Sequence, residues 1–389
     1  DQRSPFAQAE RECLTMKISR LVSLLNKKVP FRLCEKWDNA GFIAGDAAEE
    51  ITGVTAVLDV SEEAVDYAVK NGANLIIAHH PLIFGPVSNV RADNLTGALL
   101  IKLIRSGVNL AVLHTNFDKS VYNQSYGIAE NLGLKDVRPL GVTNSEFLYK
   151  LTVFVPPEKC AALKNALSDA GAGVLGNYSR CAYMTDGYGE FMGNENSNPA
   201  VGKPLKLERT RETRLEMVFN EHLLNDVTGA LLKNHPYEEP AYDICQLKNT
   251  CKNYGYGVYG ELKEKIPAKK FAEQLKKIMS RGSKPCFAAI GKAPPSIKRV
   301  AIVNGSGFEF YKNAAEKKCD VFISGDITYH RALELAAAGL YTIDCSHFAT
   351  ESNFPERLAR LVSEIEKEEK CSLNYKYDDR LQKNPMESI

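Results

Sequence analysis

Asn74-Leu75-Ile76-Ile77-Ala78-His79-His80-Pro81-Leu82-Ile83-Phe84-Gly85-Pro86 is the stretch that decides how the chain is read. Residues 75–78 form a short apolar run of the kind a buried parallel strand shows. Pro81 lacks a backbone donor and stops that strand. Two imidazoles therefore stand just past the carboxyl end of a buried strand, where open α/β sheets place their ligands. Adjacent side chains on an extended backbone point in different directions. His79 and His80 are thus better suited to two ions, or to one ion and a substrate, than to chelating one. Taken alone, His-His-Pro is equally a pair of solvated histidines in a turn, so the rest of the chain has to decide.

Upstream, residues 18–26 have helical spacing, with Ile18, Leu21, Val22 and Leu25 on one face. Residues 35–42, which hold the only tryptophan, read as a polar turn. Residues 53–58 form a strand and 62–71 a helix, with Ser61 as N-cap and Asn71-Gly72 as the stop. With 75–78 they make one βαβ unit. A helix over 94–106 and a strand over 108–113 repeat it. That strand ends in His114-Thr115-Asn116-Phe117-Asp118, again a histidine and a carboxylate at a strand's carboxyl end.

The pattern changes near residue 148. A strand over 148–155, a helix over 157–170, strands over 180–191 and 214–219, a helix over 223–234 and a strand over 241–247 follow. This βαββαβ order is ferredoxin-like. Residues 193–214 read as a solvated hairpin loop and 249–260 as a linker. From residue 262 the βα order resumes: a helix over 271–279, strands over 299–303, 321–324 and 340–344, and helices over 309–318 and 331–338. Asn304-Gly305-Ser306-Gly307 reads as a tight turn, with phosphate binding through its backbone donors at the helix N-terminus as the alternative, and it is too short for a dinucleotide fingerprint. Gly325-Asp326-Ile327-Thr328-Tyr329-His330 and Cys345-Ser346-His347-Phe348-Ala349-Thr350-Glu351 follow two of the strands, the second opening a helix to about residue 369. The fold class expected is α/β: one discontinuous α/β domain made from both chain ends, interrupted by an α+β insert.

Composition narrows the class. A chain of 389 residues, 44% hydrophobic and 25% charged, suffices for two or three domains. A net charge of +1 gives no electrostatic reason to expect nucleic acid or an anionic membrane as partner. The ten cysteines contain no C-x-x-C pair, and Cys319 and Cys345 sit beside apolar runs as buried thiols. A reducing, cytoplasmic setting fits, and no run approaches a membrane span. Residues 1–15 lack the marks of a signal peptide and read as a loose leader, disordered or foreign to the natural chain, before Met16.

Five of the seven histidines (79, 80, 114, 330 and 347) follow a buried strand of the α/β domain. His347 and Glu351, four apart at a helix start, project from one face, and His114 and Asp118 share that spacing. A histidine/carboxylate set without thiolates suits zinc, manganese, iron or nickel. Two histidines that do not easily share an ion, plus two carboxylates, suggest two metals bridged by a carboxylate and a water. His235, in a proline-flanked turn, is read as structural or as part of a subunit contact.

Trp37-Asp38-Asn39-Ala40-Gly41, Ala78-His79-His80-Pro81-Leu82, His114-Thr115-Asn116-Phe117-Asp118, Gly325-Asp326-Ile327-Thr328-Tyr329-His330 and Ser346-His347-Phe348-Ala349-Thr350-Glu351 together resemble the Nif-three-like family. Its members are commonly called GTP cyclohydrolase 1 type 2 homologues. The resemblance runs from Met16 to about Tyr377. It implies a dinuclear metal site at His79, His80, Asp118, His347 and Glu351, with His114 and His330 close by, and a toroidal homohexamer. The insert, through Gly176-Asn177-Tyr178-Ser179 and His235-Pro236-Tyr237-Glu238-Glu239-Pro240, is similar to PII-like trimeric signalling domains. The divisions expected are 1–15 leader, 16–147 first half of the α/β domain, 148–250 ferredoxin-like PII-like insert, 251–377 second half and 378–389 tail.

The function expected is a metal-dependent hydrolase acting on a small molecule such as a nucleotide. Two divalent ions would supply a metal-bridging hydroxide as nucleophile, and His114 or His330 would shuttle the proton. The alternative is a metal-ordered regulatory or scaffold protein that senses a ligand or partner through its insert.

Overall fold

The structure is a computed structural model that describes residues 15–279 and 287–385. All but the last residue of the expected leader, and the last four residues of the tail, lie outside the described residues. The chain divides into two units. One is Asn144–Asn253; the other is formed by the segments that end at Thr143 and resume at Tyr254.

The larger unit is a mixed α/β body with two sheets. The first has the order Gly41–Ala44, Asn109–Val112, Leu75–Ala78, Val54–Val57, Tyr375–Lys376. All neighbours are parallel except the Gly41–Ala44 edge, which runs antiparallel to Asn109–Val112. Every residue of the three central strands is buried, as expected of parallel strands covered on both faces. Leu75, Ile76 and Ile77 each contribute about 1.5–3 kcal/mol of burial on that basis. The helices Glu62–Lys70 and Leu95–Arg105 are N-capped by the Ser61 hydroxyl and the Asn94 carbonyl, which accept from Ala64 and Gly97. Val65 and Leu103 from these helices pack on one face of the sheet, against Ile76, Leu110 and Val112. The helices Ile18–Lys28 and Phe354–Glu369 cover the other face, against Val54, Leu75 and Ile77. The Gly41–Ala44 strand replaces part of the polar turn expected there; at a half-buried edge its pattern carries no strong period.

The second sheet runs Tyr242–Pro267, Ser296–Val303, Val321–Ser324, Thr342–Asp344, Ala288–Ile290, with the three middle strands parallel. The helix Ala268–Met279 buries Phe271, Leu275 and Met279 against it. The segment read as a linker, 249–260, is instead continuous strand. Its glycines mark close backbone approach rather than turns. A Cβ at Gly257 would lie 2.2 Å from the Ile302 carbonyl oxygen, and one at Gly255 2.4 Å from that of Leu140. The single helix expected over 346–369 is two, His347–Glu351 and Phe354–Glu369. Pro355 opens the second, because proline fits the first turn of a helix and not its interior.

In the insert, strand order is Tyr183–Met192, Leu207–Asn220, Lys135–Val155, Tyr242–Pro267, with the helices Pro157–Asp169 and Leu224–Asn234. The elements follow the βαββαβ order, and the first and last strands in chain order, Lys135–Val155 and Tyr242–Pro267, carry residues of both units. Leu163, Leu167, Val227 and Leu231 pack on Leu151, Val153, Leu215 and Phe219. The charged stretch read as loop is strand from Leu207 onward: Arg211 pairs with Asp186 across the hairpin at 2.6 Å, and the Arg209 guanidinium lies over the Tyr188 ring. Interleaved charge here is cross-strand pairing.

Candidate metal centre

His79 and His80 leave the strand Leu75–Ala78 at its carboxyl end and differ in burial: the His79 side chain is fully enclosed, that of His80 is 21% exposed. The Nδ1–H of His79 donates to the Leu113 carbonyl at 2.8 Å, which leaves Nε2 as the free lone pair. The Gln124 amide lies 3.0 Å from that Nε2, and its own carbonyl oxygen is buried without a partner. His80 directs Nδ1 to Asp59 at 2.8 Å and Nε2 to Glu351 at 2.9 Å. Parallel register explains the Asp59 contact. Val57 pairs with Ala78, so the chain two residues on brings Asp59 level with His80.

Glu351 is the meeting point. Its side chain is 4% exposed; Oε2 lies 2.9 Å from His80 Nε2 and 3.0 Å from His347 Nε2, and Oε1 lies 3.7 Å from His79 Nε2. The His347 contact is the i,i+4 pairing of the short helix His347–Glu351, which Ser346 opens with its hydroxyl accepting from Ala349. Asp326 receives the other nitrogen of His347 at 2.7 Å. Asp326 and Ser346 both hold positive φ, +56° and +66°, a cost that non-glycine residues carry where surrounding structure demands it. Asp118, from the short helix Thr115–Asp118, stands 3.5 Å from His79 Nε2. The Asn304 amide donates to Asp118 at 2.7 Å and reaches Glu351 at 3.4 Å.

One ligand atom each from His79, His80 and Glu351 lies within 4.8 Å of the others. The group could hold a single metal ion, so the two adjacent histidines, expected to serve separate ions, are brought within reach of one. Nitrogen and oxygen donors without sulfur fit a first-row divalent cation. Each of the three imidazoles nearest Glu351 gives its other nitrogen to a carbonyl or carboxylate, the outer-shell arrangement that fixes metal-binding histidines. The buried carboxylates fit the same reading. Burial pushes the Asp118 pKa up despite His79, with Glu351 adding repulsion. Burial opposes the charge of Glu351 too, but His347 and His79 hold it well below the usual carboxylate range. Burial disfavours charged His80, yet its hydrogen bonds to Asp59 and Glu351 lift it to about 10. The Glu351 charge and the Glu351 and Asp326 contacts similarly outweigh burial and lift His347 to about 9. The carboxylates around His80 and His347 thus favour positive charge at those two positions.

His114 adjoins the cluster, its ring 5.3 Å from that of His79 and 5.7 Å from that of His80. Its Nδ1 meets Asp38 at 2.8 Å, and Asp38 also accepts from the backbone and hydroxyl of Thr115. His330 is placed differently. It is exposed on the helix Tyr329–Ala337, its ring beside that of Tyr329, and among the described residues no hydrogen bond or ion pair joins it to the cluster. At Asn304-Gly305-Ser306-Gly307 the backbone donors of Gly305 and Gly307 are taken by Thr350 and Ser324. This is a tight turn, not a phosphate loop. Gly305 has φ +59°, and a Cβ there would stand 2.3 Å from Glu351 Oε1. Asp59, Gln124 and Asn304 are the contributors missed in the sequence. Only Asp59 left a signal, as a carboxylate just past a buried strand.

The profile of Duf34/NIF3 (NGG1p interacting factor 3) matches residues 16–379. The chain belongs to the Duf34/NIF3 family. The resemblance carried by the five motifs is thereby confirmed. A Halalkalibacterium halodurans relative named GTP cyclohydrolase 1 type 2 homolog is 37% identical over 335 residues, 85% of this chain and 89% of that protein. A Staphylococcus epidermidis relative of the same name is 35% identical over 334 residues, 86% and 90% of the two chains. Among solved structures, a Bacillus cereus protein related to NIF3 aligns with TM-score 0.88 at 31% identity, covering 96% of this chain and 99% of that one. The Staphylococcus aureus protein SA1388 aligns with TM-score 0.73 at 30% identity over the same shares. Among the described residues, no helix of this Duf34/NIF3 chain is long and apolar enough to cross a membrane.

Proposed function

We propose that this chain is a metal-dependent hydrolase of small molecules, its centre built for two divalent cations. The observation that carries the reading is the convergence of His79, His80 and Glu351, each imidazole aimed by an acceptor on its other nitrogen. Asp118 and His347 complete the donor set for a second ion. Divalent ions held there would supply an acidified water and polarise a substrate oxygen. His114 is the proton carrier: Asp38 takes its Nδ1–H and leaves Nε2 free to accept, the orientation a general base requires. His330, exposed beside Tyr329, is the second residue assigned to proton transfer, and it acts only if substrate binding brings it in. A nucleotide substrate is the reading that the relatives' name supports.

A second reading has an observation of its own. The insert, which we read as PII-like, holds an open cavity of about 590 Å³ lined by Phe191, Met192, Tyr237 and Glu238. On that reading the metals order a hexameric scaffold and the insert senses a ligand. One experiment separates the two. Metal content and turnover over a panel of nucleotides and phosphoesters are measured together in wild type, His80→Ala and His114→Ala. The hydrolase reading expects His80→Ala to lose metal and turnover. His114→Ala should keep its metal while turnover falls about 10²–10⁴-fold. Full metal with no turnover across the panel would favour the scaffold.

A further inference from the structure

Two large aromatic side chains stand exposed at the rim of this centre: Trp37 is 60% exposed and Phe84 56%. Such rings usually bury most of their area, and an exposed pair beside a polar cluster marks a surface made to be covered. Both rings reach the same imidazole. Trp37 and Phe84 each lie 6.0 Å from His114, at 74° and 86° to its plane, so the imidazole covers neither ring flat-on. His114 in turn is one ring away from His79 and His80. The segments that carry the pair are braced. The Asn39 amide donates to the Ile83 carbonyl at 2.7 Å, tying the Trp37 turn to the segment that holds Phe84. Asp38, next to Trp37, is pinned by His114 and Thr115. A rigid aromatic surface loses little entropy when it is occupied.

We propose that Trp37 and Phe84 form a stacking platform for a planar heteroaromatic ring of the substrate, one ring-width from the metal centre. This rests on the hydrolase reading and adds the class of group recognised. A stacked ring keeps its edge free for polar contacts, and His114 is the polar group that both rings adjoin. A phosphoester or sugar lacking a ring gains nothing from the platform, so the pair sets specificity, not chemistry.

Trp37 is the only tryptophan of the chain, so its fluorescence reports contact at this position alone. The metal-loaded full chain is titrated with GMP, CMP and nicotinamide mononucleotide, and with ribose 5-phosphate as the ring-free control. Quenching by at least one ring-bearing ligand, and none by ribose 5-phosphate, is expected. Phe84→Ala and Trp37→Ala, followed by calorimetry, should weaken that ligand about tenfold to a hundredfold with metal content unchanged. Trp37→Phe should recover part of the loss. The platform is overturned if none of the three ring-bearing ligands quenches, if ribose 5-phosphate binds as they do, or if both alanine variants bind like wild type. A change of oligomeric state in Trp37→Ala with unaltered ligand affinity also overturns it and assigns the pair to a subunit contact. Absent metal in the wild-type protein would sink the hydrolase reading instead; the same titration on that protein still judges the platform.

Discussion

Asp59 would not touch a metal ion itself, yet it fixes which way His80 faces. Its carboxylate takes Nδ1 and leaves Nε2 for the centre; Asp326 does the same for His347. Replacing either by asparagine keeps the size and removes the charge. Metal affinity should fall about 10- to 100-fold in Asp59→Asn and in Asp326→Asn, while the thermal transition moves little because Asp59 and Asp326 side chains are 60% and 42% exposed. Competition with a metallochromic chelator measures it; unchanged affinity in both variants would remove the outer carboxylates from the account. His235 in the insert shows how a neutral histidine is fixed. Nε2–H donates to the Phe154 carbonyl at 3.0 Å and Nδ1 accepts from the Tyr237 amide at 3.1 Å, so a second proton has no place. Burial, against weaker help from Phe154 and Glu212, lowers its pKa. The unfolded chain therefore binds the proton first. The stability His235 lends is complete above the unfolded value near 6.5 and is lost as pH falls below it toward the folded value. Denaturant melts of the insert from pH 8 to 5 should show that loss in wild type and a flatter profile in His235→Asn.

The turn around Gly305 shows what an element contributes beyond its residues. A left-handed backbone costs about 1–2 kcal/mol for a residue with a Cβ, and here the added carbon would also press on Glu351. Gly305→Ala should lower the melting temperature and strip metal together; retained metal would mean that Glu351 can move without loss. Elements were legible where one period dominated. The buried runs at 75–78 and 321–324 were read to the residue because parallel strands covered on both faces are continuously apolar. Ser61 marked its helix start through capping chemistry, whereas Asn94, read as the first helical residue, is the cap of Leu95–Arg105. The strand through 249–260 was misread because its glycines serve close approach to Ile302 and Leu140, long-range facts that no local window contains. The centre divides in the same way. Its histidines and its paired carboxylates were visible as strand-end motifs, whereas Gln124 and Asn304 enter only through tertiary packing. His330 fits the strand-end pattern yet lies exposed on a helix, because position after a strand does not fix the direction of a side chain.

At the scale of the whole molecule, Asn144–Asn253 has its own core of Leu151, Leu163, Leu215, Phe219 and Leu231. Every residue proposed for the metal centre lies outside it. Joining Thr143 to Tyr254 through a short glycine linker should preserve a cooperative thermal transition and full metal content; loss of either would show that the remainder depends on the insert. The division of the centre between chain ends has a consequence in time. His79, His80 and Asp118 leave the ribosome first, and Glu351 follows after roughly 230 further residues. At about 5–20 residues per second the early donors wait on the order of 10–50 s for the carboxylate that gathers them. The strand Tyr375–Lys376, which closes the first sheet beside Val54–Val57, is later still. A centre of this kind would therefore be completed only near the end of biosynthesis, and a truncated product would carry half of its donors and no means of completing the set.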